Sequence, residues 1–461
     1  MSQKILGINY KIVFFLVIII LWPARANEMI GLGSNLDVAV PPAPERIESD
    51  ALTKSLRQLG RRRYSPLNQG ILVESLDGSK ILAELNSDVP FNPASLMKLA
   101  TSFAALDRLG PDYRFHTSVY GDTPVDPLKK ALLGSLFVIS DGDPVLRPAD
   151  ARVLSRSLVR GGLRTVEGDL VVVGPFSLNG NFTTQKSAEL LRRYLTRSGI
   201  RITGKLRWVP RDSVEVQSKI LLLSHYSKTL KEILWIQNAH SVNEIADRLG
   251  DVLGGPEVIR QFLIDVAHIE PEEIYVSRPS GLEHNQITAR ATVKMLRELY
   301  YWLEDHQMKM QDIIPVAGID EGTLAWRFRN MDCRGGILGK TGTNASKDGG
   351  ISSLAGIAYT RDQGPVLYVI LNTHGRVMAY RRWQEEFLKN LIEESGGVGQ
   401  YLSGHEELVN VYSSSAWVPS EYWGTLDQEP ELTKQPVIRK AKARSRRDAT
   451  HRRYRSRRIK A

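Results

Sequence analysis

A serine and a lysine three positions apart, Ser95 and Lys98, stand just ahead of an apolar run in which Leu99, Phe103, Leu106 and Leu109 recur at three- to four-residue spacing. That period predicts a helix over Leu96–Leu109, with Ser95 at its N-terminus and Lys98 one turn on, facing the same way. An amine within reach of a hydroxyl can take its proton when burial or a neighbouring cation depresses the amine's pKa. A helix N-terminus also favours the negative charge that develops on the oxygen. The pair carries little by itself, because Ser-x-x-Lys arises by chance about once or twice in a chain this long.

Two further motifs follow in order: Ser241-Val242-Asn243, then Lys340-Thr341-Gly342-Thr343. Each supplies a separable part of acyl transfer. Ser95 would attack, with Lys98 as its base; Ser241 would relay a proton to the leaving amine, and Asn243 would hydrogen-bond a substrate amide or Lys98 itself. Lys340 and Thr341, on a strand edge, would take a substrate carboxylate. Gly342 has no side chain, so an extended peptide could lie against that strand, with the backbone amides of Ser95 and Thr343 as an oxyanion hole. Ser-x-Asn is a weak pattern, and Ser177-Leu178-Asn179 is a rival copy. Ser241 is preferred because it falls in a break between two helical stretches, whereas Ser177 lies in a Gly/Pro-bearing loop. No second Ser-x-x-Lys occurs, and the ordered triple is what carries weight.

The elements that must position these groups can be read from periodicity and turn chemistry. A helix is expected around Ala51–Leu59, then strands Gln69–Val73 and Lys80–Leu85 joined through Asp77-Gly78, a hairpin signal that delivers the chain to Ser95. Short strands follow at Arg114–Tyr120, Leu132–Ser140, Gly168–Val173 and Ile200–Val209, alternating with helices at Pro148–Gly161 and Ser187–Ser198. This alternation reads as a small α/β module inserted in a larger domain. Helices are then expected at Lys228–Asn238, onward to about Leu249, at Pro256–Val266 and at Ala289–Leu303. Gly336–Gly339, Ile351–Tyr359 and Val366–Leu371 have short connections and read as successive strands of one antiparallel sheet. In the last helix, Ala379–Glu394, Trp383, Phe387 and Leu391 share a face and are expected in the core rather than on a ligand. There is no internal repeat.

With 461 residues, 42% hydrophobic and 24% charged, the chain has an ordinary globular composition and room for two or three domains. Lys4 and Lys11 precede the apolar run Ile12–Trp22, and Ala24-Arg25-Ala26 offers small residues where a signal peptidase reads. Residues 1–26 are therefore expected to be an export signal, with an uncleaved anchor as the alternative. Cys333 is the sole cysteine, which excludes an internal disulfide and argues against a cysteine metal site. No metal or cofactor is expected. The formal net charge is +10, yet residues 434–461 hold 13 Lys/Arg against Asp448. The basic balance thus belongs to a tail, and the body between the two ends is mildly acidic. A tail with so few apolar residues is expected to be disordered. In an exported protein its counter-charges would be anionic envelope components such as lipid headgroups or acidic polymers rather than nucleic acid; the bland alternative is a solvated tail without a specific partner.

The ordered triple is the motif set of class A β-lactamases and penicillin-binding proteins. Over roughly residues 69–373 the chain resembles more particularly the D-alanyl-D-alanine carboxypeptidase/endopeptidase class of low-molecular-mass penicillin-binding proteins, the DacB type. Pro93-Ala94-Ser95 resembles that family's entry to its nucleophile, and Leu109-Gly110-Pro111-Asp112-Tyr113-Arg114-Phe115 the stretch after the nucleophile helix. Asp143-Pro144-Val145-Leu146 with Glu167-Gly168-Asp169-Leu170 resembles the start of its inserted domain. Pro315-Val316-Ala317-Gly318, Gly322-Thr323-Leu324 and Arg327-Phe328 resemble the segment leading to its Lys-Thr-Gly strand, and Ser353-Leu354-Ala355-Gly356 the strand after it. The resemblance implies an α/β (α+β) transpeptidase-like domain, an antiparallel sheet flanked by helices with the site between the sheet edge and an all-helical part. The expected division is a catalytic domain of residues 27–111 and 216–398, an insert of residues 112–215, and a C-terminal extension of residues 399–461. The implied activity is serine-type cleavage of peptidoglycan stem peptides through an acyl-enzyme, with β-lactams as covalent inhibitors, in the periplasm.

The chain also departs from the family. Only about Val171–Gln185 separates Leu170 from the next helix, where the family carries a Trp-bearing recognition segment and a further subdomain. The family's Asp-Gly-Ser-Gly-Leu-Ser stands here as Arg278-Pro279-Ser280-Gly281-Leu282-Glu283, and a longer loop, Asn344–Gly350, follows Lys-Thr-Gly-Thr. An intact triple in an altered pocket favours an active enzyme of changed specificity. The alternatives are a catalytically inactive peptidoglycan-binding or scaffold protein acting through its C-terminal extension, and a β-lactamase or esterase using the same chemistry.

Overall fold

The computed structural model describes residues 43–179, 183–213, 218–405 and 417–419. The expected export signal, the basic tail and most of the C-terminal extension lie outside these residues. Among the described residues, no helix is long and apolar enough to cross a membrane.

One six-stranded sheet has the order Glu45–Arg46, Lys80–Leu85, Gln69–Ser75, Gly364–Asn372, Ile351–Thr360 and Ile337–Asn344. All neighbours are antiparallel except the short outer pair Glu45–Arg46 and Lys80–Leu85. The middle strands are buried on both faces, so they read as continuous apolar runs rather than as an alternation. One face is covered by helices Asp50–Arg61 and Val377–Glu394. The Trp383, Phe387 and Leu391 stripe packs there with Leu59, Ile71, Tyr368 and the buried Cys333, as core. The other face carries the all-helical part, in which Met97–Leu109 is central. Eleven of its thirteen residues are buried, which suits a helix apolar nearly all round. It packs with Leu230–His240, Asn243–Leu253, Pro256–Ala267 and Ala289–Asp305, whose Trp235, Leu249, Leu263 and Leu296 fill the same core.

Between the helix at Met97 and that at Leu230 lies a second α/β assembly with its own core. Three chain segments, each in two short pieces, run parallel and pass from a small sheet into a larger one. They are Ala131–Leu132 with Leu136–Ser140, Thr165–Val166 with Leu170–Val173, and Arg201–Ile202 with Leu206–Val209. The sequence reading expected single strands over the first and third of these. The breaks fall at Gly134, Gly168 and Gly204, where backbones touch: Gly168 N–H donates to the Gly134 carbonyl at 2.9 Å and Gly204 N–H to the Gly168 carbonyl at 3.1 Å. A Cβ on Gly204 would sit 2.4 Å from that carbonyl oxygen, so the crossing point admits no side chain there. Helices Pro148–Arg160 and Thr184–Arg197 supply the crossovers that parallel strands need.

Strand Ile220–Tyr226 had no sequence signal, since Ile220-Leu221-Leu222-Leu223 neither alternates nor follows a turn motif. It pairs antiparallel with His116–Gly121. On its other side Val418–Pro419 pairs with Ser224 and Leu223, and the Trp417 ring stacks on His225 at 5.0 Å. A piece of the C-terminal extension is thereby laid onto the sheet of the inserted assembly.

Candidate active site

The chain reaches Ser95 through a strained turn. Ala94 has φ +48°, a left-handed value that costs a residue with a Cβ about 1–2 kcal/mol. Its N–H is held by Asn92 Oδ1 at 3.1 Å. Residues Ala94–Leu96 form a 3-10 turn and the α-helix begins at Met97, one residue later than its period predicted. From the far side Gly281 presses on the same turn. A Cβ there would lie 2.0 Å from the Ala94 carbonyl oxygen, and its φ of +83° is one that glycine adopts freely. The Ser-Gly-Leu remnant of the altered segment therefore retains the residue the turn requires.

Lys98 is fully buried. Its Nζ lies 3.0 Å from Ser95 Oγ, 2.7 Å from Asn243 Oδ1 and 2.7 Å from the Ser280 carbonyl oxygen. A neutral amine has two N–H donors and one lone pair, so the two carbonyl oxygens can take the donors and leave the lone pair for the Ser95 proton. Burial pushes the Lys98 pKa down to about 7, against the opposing pull of Asp247 and Glu244. Asp247 is tied into this wall: its Oδ1 accepts the Ser280 N–H at 3.0 Å, and its Oδ2 pairs with Arg278 at 2.9 Å.

Ser241 and Lys340 form the facing group. Ser241 caps the helix Leu230–His240 in the left-handed conformation, φ +57°, in the break expected from the sequence, and Asn243 opens the next helix. Lys340 Nζ donates to Ser241 Oγ at 2.9 Å and to the Thr341 carbonyl at 2.6 Å. It is fully buried, which drives its pKa well below the ordinary lysine value, and the Lys98 charge lowers it further. Gly342 brings the edge strand against the nucleophile turn; a Cβ there would lie 2.2 Å from the Pro93 carbonyl oxygen. Thr341 and Thr343 project from the other face of the strand, Thr341 Oγ1 to Thr323 Oγ1 at 2.9 Å and Thr343 Oγ1 to Arg381 Nη2 at 3.0 Å.

Ser95, Lys98 and Asn243 are thus brought into one hydrogen-bonded set, and Ser241 with Lys340 into a second, with Gly342 at the seam. The rival Ser177 is elsewhere, its Oγ bonded to the Asn179 carbonyl beside the separate core of the inserted assembly. Sequence reasoning missed Asn92, Asp247, Thr323 and Arg381. Thr323 lies in the quoted Gly322-Thr323-Leu324 segment, which was a usable signal, whereas nothing in the sequence marks Arg381.

The model of the D-Ala-D-Ala carboxypeptidase 3 (S13) family matches residues 53–174 and 175–385. The chain belongs to this family. Among curated proteins, a D-alanyl-D-alanine carboxypeptidase of Actinomadura sp. (strain R39) is 38% identical over 78 residues, 17% of this chain and 14% of that relative. The match therefore spans about one seventh of that relative's length. Two solved structures share the fold. A penicillin G-acylated predatory endopeptidase of Bdellovibrio bacteriovorus, in complex with an immunity protein, is 19% identical with a TM-score of 0.60, covering 76% of this chain and 99% of its own. Penicillin-binding protein 4 of Haemophilus influenzae is 19% identical with a TM-score of 0.56, covering 71% and 96%. This S13 chain has the mixed α/β (α+β) architecture expected of the family, an antiparallel sheet between helical layers with an additional α/β assembly.

Proposed function

We propose that this S13 protein is a serine-type D-Ala-D-Ala carboxypeptidase/endopeptidase of peptidoglycan that is acylated by penicillins. The carrying observation is the Lys98 amine, buried, bonded to Asn243 and Ser280, and aimed at Ser95 Oγ. Neutral Lys98 takes the hydroxyl proton as Ser95 Oγ bonds to the carbonyl carbon of the substrate amide. The charge that develops on the carbonyl oxygen is met by the N–H groups of Ser95 and Thr343. The C–N bond then breaks, and the leaving amine takes a proton from the bonded Ser241 Oγ–Lys340 pair, which is refilled by the proton on Lys98, so that Lys98 is neutral again. Water adds to the acyl carbon as Lys98 takes its proton, and Lys98 returns that proton to Ser95 Oγ as the Oγ–C bond breaks to release the acid. Thr341, Gly342 and Thr343 offer an extended peptide an edge to lie along.

Membership in the family and the N-terminal Lys/apolar/Ala-x-Ala pattern support export to the periplasm, with the basic tail facing anionic envelope components. An intact Ser95–Lys98–Asn243 set supports catalysis over a scaffold role. Wild type and Ser95→Ala are incubated with a fluorescent penicillin, with thermal melts as a folding control. Covalent label on wild type alone is the expected result; equal labelling of a folded Ser95→Ala would refute the nucleophile assignment.

A further inference from the structure

The inserted assembly differs in charge from the rest of the folded body. Residues 112–215 carry 16 Lys/Arg against 11 Asp/Glu, although the body as a whole is mildly acidic. Part of this excess converges on the small four-stranded sheet, whose order is Arg201–Ile202, Thr165–Val166, Ala131–Leu132 and Val125–Asp126. At its end the backbones of three basic residues lie side by side: Arg164 N–H donates to the Lys130 carbonyl at 2.8 Å, and Arg201 N–H to the Arg164 carbonyl at 2.8 Å. Lys129 precedes Lys130 in the hairpin turn, and Arg160 and Arg197 end the two helices whose loops lead to Arg164 and Arg201. All six side chains are exposed. The arginine ion pairs of the insert, Arg207 with Asp169 and Arg211 with Asp141, involve other residues, and none of the six is in an ion pair among the described residues. The acid of the turn, Asp126, is directed at its own backbone, accepting the N–H groups of Leu128 and Lys129 at 2.9 Å each.

That turn carries Leu128 at its tip, 93% exposed beside the two lysines. A cation cluster alone attracts any polyanion. A leucine held in water among cations narrows the partner, because it becomes buried when the cations reach the phosphates of a lipid surface and gains nothing from a water-soluble polymer. We propose that this end of the inserted assembly docks on an anionic phospholipid surface, with the cations on headgroup phosphates and Leu128 at the acyl boundary. The contact is peripheral and does not depend on the peptidase reading of the Ser95 site.

The test uses the full chain with vesicles of phosphatidylcholine containing about one-third phosphatidylglycerol, or of phosphatidylcholine alone, in about 0.1 M salt. Sedimentation is the readout, and thermal melts are the folding control. The basic C-terminal tail is present throughout, so differences between variants report the insert. Wild type is expected to partition more strongly into the anionic vesicles. The triple variant Lys129→Gln, Lys130→Gln, Arg201→Gln is expected to lower that partition coefficient about a hundredfold, about fivefold for each cation at the surface. Lys54→Gln, Arg57→Gln, Arg61→Gln, which removes the same charge from exposed positions on the helix Asp50–Arg61, keeps the wild-type value. Leu128→Ser is expected to weaken vesicle binding about tenfold and to leave binding to soluble polyphosphate unchanged. No preference of wild type for anionic vesicles, wild-type partitioning in the insert's triple variant, or an equal loss in the other triple overturns the inference. Leu128→Ser that matches wild type on vesicles also overturns it and assigns the cations to a soluble polyanion.

Discussion

The Lys98 environment makes the pH dependence of acylation a quantitative test of the mechanism. The competent form is the neutral amine, whose pKa is pushed down to about 7 by burial. Activity is therefore retained above pH 7 and lost as pH falls through it. From that value roughly a tenth of the molecules are competent at pH 6 and roughly nine-tenths at pH 8, a ratio of about 0.1. Asp247 opposes the depression. Its carboxylate accepts the Ser280 N–H at 3.0 Å while the Ser280 carbonyl accepts from Lys98 at 2.7 Å, which places its charge roughly 7 Å from the amine. At an effective dielectric constant of about 20, that charge is worth about 2 kcal/mol to the ammonium form, and solvent screening reduces it. Asp247→Asn should then lower the apparent pKa by about one unit and raise the pH 6 to pH 8 ratio to about 0.5. The assay is the second-order rate of labelling by a fluorescent penicillin from pH 5.5 to 9. Using the ratio removes any change in the plateau caused by a shifted Ser280. A ratio that stays at the wild-type value, or a limb that moves to higher pH, refutes Lys98 as the base under these charges.

Two further perturbations test the frame around the site. Gly342→Ala puts a Cβ 2.2 Å from the Pro93 carbonyl oxygen, so the edge strand must move off the nucleophile turn. The expected cost is about 1–3 kcal/mol in stability by urea unfolding, with a larger loss in labelling rate; unchanged labelling would show that the seam can relax. Arg327→Leu removes a buried guanidinium from Glu385 and Gln384 and leaves the carboxylate unpaired. A loss of about 3–5 kcal/mol is expected, with partial recovery in the double variant that also carries Glu385→Gln; an unaltered unfolding midpoint would deny the pair its structural role.

The sheet was legible because its strands are contiguous apolar runs with short connections, and the helices because their periods are strong. Boundaries failed where backbone contacts, which leave no period in the sequence, decide them. The strands over Leu132–Ser140 and Ile200–Val209 divide because Gly134, Gly168 and Gly204 meet one another, residues distant along the chain. Ile220–Tyr226 was invisible because its partners, His116–Gly121 and Val418–Pro419, lie far from it in sequence. In the site the reactive side chains were legible by type and order, since Ser95, Lys98, Ser241, Asn243 and Lys340 sit in short motifs. Their supports were not: the Ser280 carbonyl is a backbone group any residue supplies, and Arg381 comes from a helix 38 residues after Thr343.

The burial of two lysines in one site has a mechanistic consequence. Each amine is depressed mainly by desolvation, and the charge on Lys98 lowers Lys340 further. A proton on Lys98 therefore makes a proton on Lys340 less favourable. On the proposed mechanism, deprotonation of Ser95 creates an ammonium at Lys98 as the carbonyl is attacked. That new charge weakens the hold of Lys340 on its own proton, and Lys340 is bonded to Ser241 Oγ, the route to the leaving amine. Taking a proton on one side of the substrate thus favours giving one on the other. Two residues of the same type acquire base and acid roles from position alone, Lys98 facing the nucleophile and Lys340 facing the relay. The low-dielectric packing of both amines is then part of the chemistry, because solvent admitted between them would screen the coupling that orders the two transfers.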